Sequence, residues 1–152
     1  MCLPLLLLPG WGCGENSASV DETRTMSTDM MALKRLIHLP RAAKQGEWQT
    51  GKFAPHGGDW WVAAVLSVDA DQMGSLLQGP AKREIFETPP GLALVSAFAA
   101  LRTLPEAQQF EPGRIRLVTD THAVEPYAKS PLRNGQAIRL SASTVLVLLW
   151  TN

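Results

Sequence analysis

The nine residues WWVAAVLSV, at positions 60–68, are apolar on both sides of a two-residue repeat. Successive side chains of a strand point to opposite faces, so such a segment has no face to give to water. It predicts a central strand, held between neighbours rather than left at a sheet edge. Asp69 then predicts a helix start. Its carboxylate can cap backbone N–H groups, and Gln72 stands three residues on, as in a capping box. Ala70, Met73, Leu76 and Leu77 supply one apolar face, and Gly79-Pro80 stops the helix.

Upstream, residues 47–53 predict a strand with Trp48 and Thr50 on one face. The loop APHGGD (54–59) follows, and its two glycines suit positive φ. Residues 28–40 admit two readings: a short helix capped by Thr28 or Asp29, or a strand over 35–39 stopped by Pro40. Downstream, 82–87 predicts a short strand around Ile85 and Phe86. After Pro89-Pro90, the residues Leu94, Ala97, Phe98, Leu101 and Leu104 recur at helical spacing until Pro105. Residues 114–119 alternate as a half-buried strand, Asn134-Gly135 is a turn signal, and 137–140 and 144–150 close the chain as strands. The expected class is α+β: a largely antiparallel sheet of about five to seven strands with two or three helices on one face.

The chain has 152 residues, with 14 basic and 14 acidic side chains. One domain over 29–152, about 120 residues, can bury a core without metal or disulfide support. A balanced charge argues against a nucleic-acid partner, and the basic pairs Lys34-Arg35 and Lys82-Arg83 are isolated, as on a solvated surface. The two cysteines are Cys2 and Cys13. From Gly14 onward there is none, so a disulfide within the domain, a cysteine zinc site and a thiol nucleophile there are excluded.

Leu3 to Leu8 form an uncharged apolar run broken by Pro4, and the first charge is Glu15. The run is too short to span a bilayer as a helix, and its length suits a signal-peptide core. The residues LPGWGC that end at Cys13 resemble the lipobox of bacterial lipoproteins. In that family, diacylglycerol is attached to the cysteine sulfur, and cleavage leaves this cysteine as the N-terminus. Trp11 stands where the family usually has a small residue, Gly10 where it prefers Leu, and no Lys or Arg precedes the leucines. The resemblance implies a signal peptide over 1–12 and lipidation at Cys13. It also implies a membrane-anchored place in the cell envelope, the outer membrane's periplasmic face in a Gram-negative cell, since Gly14 rather than Asp follows the cysteine. Residues 13–28 are polar and without apolar periodicity, as in a flexible tether. An ordinary export signal remains open, as does translation from Met26, Met30 or Met31, which makes the protein cytosolic.

Chemistry-bearing motifs are sparse. His38, His56 and His122 lie in separate elements without metal-ligand spacing. Asp120, His122 and Ser130 have the residue types of a hydrolase triad, but Ser130 precedes Pro131 and GXSXG is absent. Gly74-Ser75 falls within a predicted helix. GKFAPHGGD is not a phosphate loop, and Asp69 and Asp71 fit a helix N-terminus. No cofactor is expected. The aromatics are the remaining candidates: of Trp60 and Trp61, one ring should enter the core while the other faces outward or meets a covering helix. Tyr127, Lys129 and Arg133, on the proline-framed loop 126–135, form a second candidate patch. The expected function is non-enzymatic: an envelope lipoprotein that binds another protein, with Trp60, Trp61, Tyr127 and Arg133 as possible contacts. Its size and anchoring also fit an immunity protein against a periplasm-delivered toxin. A small hydrolase using Asp120 and His122, and a cytosolic interaction domain, are the other readings.

Overall fold

The computed structural model describes residues 26–151. Cys13, the leucine run and most of the expected tether lie outside them. The fold is α+β, with eight strands in two antiparallel sheets and three short α-helices among the described residues. The larger sheet holds β1 (Met26–Ser27), β2 (Gln45–Lys52), β3 (Trp60–Ser67), β8 (Thr144–Trp150) and β7 (Asn134–Ser141), in that order. The smaller has the order β4 (Lys82–Glu87), β6 (Arg114–Thr121), β5 (Gln108–Glu111). Met26 and Ser27, at the end of the expected tether, pair with Gln49 and Trp48 and so belong to the sheet.

The doubly apolar segment 60–68 forms β3, at the centre of the five-stranded sheet. Its two faces serve two cores. Val62, Ala64 and Leu66 pack with Leu33 and Ile37 of the α1 region (α1, Met30–Leu36) and with Met73 and Leu76 of α2 (Met73–Leu76). Trp61, Ala63 and Val65 pack with Phe86, Ile115 and Leu117 of the small sheet and with Ala97 and Leu101 of α3 (Val95–Leu101). Helices therefore lie against both faces of the large sheet, and a second sheet shares one of them. Periodicity shows which residues are buried but not which neighbour buries them. Phe86 is fully enclosed, a burial contributing about 2–3 kcal/mol.

Local chemistry explains several departures from expectation. Asp29 resolves the ambiguity at 28–40 in favour of a helix: its carboxylate accepts from the N–H groups of Met31 and Ala32 at 2.9 and 3.0 Å. Asp69 makes no side-chain cap. Its carboxylate instead meets Lys44 Nζ at 2.5 Å, and a 3-10 turn (Ala70–Gln72) leads into α2. Gly57 and Gly58 do not adopt positive φ; Gly79, Gly91 and Gly113 do. Gly113 makes the tight turn from β5 to β6, and β5 itself, QQFE, carries no alternation by which to recognise a strand. Asn134-Gly135 is not a turn but the start of β7, and the β7–β8 hairpin turns at Ala142-Ser143.

Two buried polar side chains fasten the segment between β4 and α3. Gln49 donates to the Gly91 carbonyl at 2.8 Å and accepts from the Ala93 N–H at 2.7 Å. Thr88 Oγ1 accepts from the Ile115 N–H at 2.9 Å. Such buried groups are stabilising only because each has its partner. The two sheets meet where His122 exchanges backbone hydrogen bonds with Ala137, at 2.8 and 3.1 Å. That junction brings the end of β6 beside the start of β7, leaving β4 on an open edge.

Candidate functional site

The open edge borders a cleft of about 580 Å³. Its walls are Lys82 and Glu84 of β4, the turn from His122 to Glu125, and Arg133 to Gln136 at the start of β7; Trp150 of β8 closes it. An adjoining groove of about 450 Å³ shares Gln136 and Trp150 and continues past Ile85 and Pro89 to Phe53. Strand alternation places these groups. Glu84 and Phe86 face the large sheet, but the sheet's core ends short of Glu84, so its carboxylate lies in the cleft. There it accepts from Thr121 Oγ1 at 3.0 Å and from Gln136 Nε2 at 3.3 Å.

Charged side chains line both spaces, Glu87 and Arg114 in the groove as well as those of the cleft, and the groove adds Phe53, Ile85 and Leu148. Phe53 and Ile85 are exposed, 41% and 60%, while Trp150 is half-buried against the core. Lys82, Arg133 and Glu125 are exposed at the cleft and make no ion pair among the described residues. Outside the cleft, on the solvent face of the small sheet, Arg114 and Arg116 stack on Phe110 at 4.7 and 4.5 Å and both reach Glu87. These exposed contacts stiffen the sheet and contribute about 1 kcal/mol or less each.

The sequence-derived candidates are not brought together. Trp61 is fully buried, its ring lying across Gly51 of β2, and so it cannot meet a partner. Trp60 is half-buried against the opposite core. Tyr127 is a correction of the same kind. The loop folds inward, its ring is enclosed, and its hydroxyl donates to the Leu76 carbonyl. Burial accordingly holds the phenol's pKa above its ordinary value. Lys129 donates to the carbonyls of Lys34 and Arg35, the latter at 2.9 Å, and closes the end of α1. Of the four proposed contacts, Arg133 alone faces the cleft.

His122 also lines the cleft, but its Nδ1 is enclosed and has no hydrogen-bond partner. A triad needs that nitrogen held by a carboxylate; Asp120 does not hold it, and lies exposed opposite Arg83 in the ladder. Among the described residues, no three His, Cys, Asp or Glu side chains are grouped to hold a metal ion, and no helix is long and apolar enough to cross a membrane. Trp150, Phe53 and Gln136 were missed because 144–150 and 47–53 show only strand character, and nothing local tells a strand's end at an open rim from one in the core. No protein-family model, curated protein or solved structure compared with the chain matches it.

Proposed function

We propose that the protein is a membrane-anchored envelope lipoprotein, without catalysis of its own, whose domain binds another protein at this rim. The lipobox-like residues ending at Cys13 support the anchor. The observation that carries the binding reading is the setting of Trp150. It is half-buried at the rim, with exposed Phe53 in the groove to one side and Lys82 and Arg133, unpaired among the described residues, to the other. An aromatic centre bordered by charged side chains is the composition of a protein interface.

Photo-crosslinking residues placed at 53 and 133 test this in membranes of the native host, with position 95 as the control. Val95 is 74% exposed and lies in neither space. The reading predicts one discrete adduct from 53 and from 133, none from 95, and at least about a tenfold loss of the adduct at 53 on Lys82→Glu. An adduct of twice the chain's own mass is self-association and does not count. Equal labelling from all three positions, or no discrete adduct, contradicts the reading.

A further inference from the structure

We propose that β4 pairs edge to edge with β4 of a second copy of the chain, across a two-fold axis through Ile85. Backbone direction carries the argument. Thr88 N–H bonds the Ile115 carbonyl at 2.9 Å, whereas the Ile85 carbonyl accepts from Gln136 Nε2 at 3.3 Å, on the side away from β6. Antiparallel ladders alternate in this respect. Lys82, Glu84 and Phe86 therefore bond β6, and Arg83, Ile85 and Glu87 direct their N–H and C=O groups outward. Among the described residues, β4 has no strand on that side. An edge of this kind is a template for another strand.

The side chains select the occupant. Charges on an edge strand usually deter pairing, but those of β4 read Arg83, Ile85, Glu87. An antiparallel second copy centred on Ile85 sets Arg83 opposite Glu87 of the second copy, and Glu87 opposite its Arg83. Ile85 meets Ile85. The three residues with outward backbone groups are thus the three that exchange hydrogen bonds, and each charge faces its opposite, in addition to the pairs that Arg83 makes with Glu106 and Glu87 with Arg114 and Arg116 within one chain. Self-complementarity about a two-fold axis is what an isologous dimer requires. Ile85, 60% exposed in the single chain, becomes covered. Gln136 need not leave, because the Ile85 carbonyl has a second lone pair. The inference stands on this edge alone, but Ile85 and Glu87 also line the groove beside Trp150, so a second copy here and the partner proposed above compete for that surface.

Sedimentation equilibrium of the full chain tests it, with Ile85→Lys and Ile85→Glu as the variants. The side chain is exposed, so both should fold, and circular dichroism melts check that they do. The wild type is expected to dimerise. Each variant alone sets like charges face to face and should weaken the dimer by about tenfold or more. An equimolar mixture of the two variants should recover dimer as a one-to-one heterodimer, because Lys then faces Glu. A monomeric wild type across its soluble concentration range overturns the proposal and leaves the edge to some other strand. So do variants that dimerise like wild type, or a mixture that stays monomeric.

Discussion

Gly135→Ala is expected to destabilise the domain by about 3 kcal/mol or more, lowering the melting temperature by about 10 °C or more. The cause is space, not backbone conformation. A Cβ on Gly135 would lie 2.2 Å from the Leu148 carbonyl oxygen and 3.1 Å from Leu149 Cα. Both belong to β8, the neighbour to which β7 is hydrogen-bonded. No rotamer change relieves a clash with backbone in a ladder, so the two strands must separate at the rim where the cleft opens. Gly74→Ala is the control. It lies in α2 with nothing within 4 Å of the added carbon, and alanine should be neutral or slightly stabilising there. Thermal melts of the two variants decide the matter, and near-equal melting temperatures would contradict the placement of Gly135.

The second large effect is expected at Tyr127. Were it part of an exposed recognition loop, Tyr127→Ala would change stability by about 0.5 kcal/mol or less. Because the ring is enclosed and its hydroxyl is bonded to the Leu76 carbonyl, the expected loss is about 3–5 kcal/mol. Burial also gives the residue a pH signature. Its folded-state pKa is raised above the ordinary value near 10, so above that pH the folded chain keeps a proton that the unfolded chain has lost. The stabilisation is fully present below pH 10 and falls as pH rises beyond it. Tyr127 is the chain's one tyrosine. Tyr127→Phe should therefore lose about 1–2 kcal/mol at neutral pH and show a shallower alkaline decline than wild type in denaturant titrations. An unchanged alkaline slope would contradict the buried phenol.

These two residues mark where reading the sequence succeeds and where it stops. Asn134-Gly135 has the chemistry of a hairpin turn, yet the glycine serves close approach between strands, a need set by Leu148 across the ladder and invisible locally. PYAKSPLRNG looks polar and loop-like because most of it is; only the tertiary fold turns Tyr127 inward. Likewise, α2 ends at Leu76, short of the Gly79-Pro80 stop. By contrast, β3 and β8 follow from apolar runs, which are local. The α+β class and antiparallel pairing were legible for that reason. The division of strands between two sheets was not, because it depends on which strand β6 joins at His122 and Ala137. At the candidate site, Arg133 was legible as an exposed charge in a loop. Trp150, at the end of an otherwise buried strand, was not.

The central claim is that Cys13 holds this domain on a membrane, where its rim meets a partner. Metabolic labelling with a palmitate analogue, in wild type and in Cys13→Ser, combined with membrane fractionation, tests it most directly. The account predicts label and membrane association in wild type, both lost in the variant. An unlabelled wild-type chain in the soluble fraction, or label retained by Cys13→Ser, would contradict it.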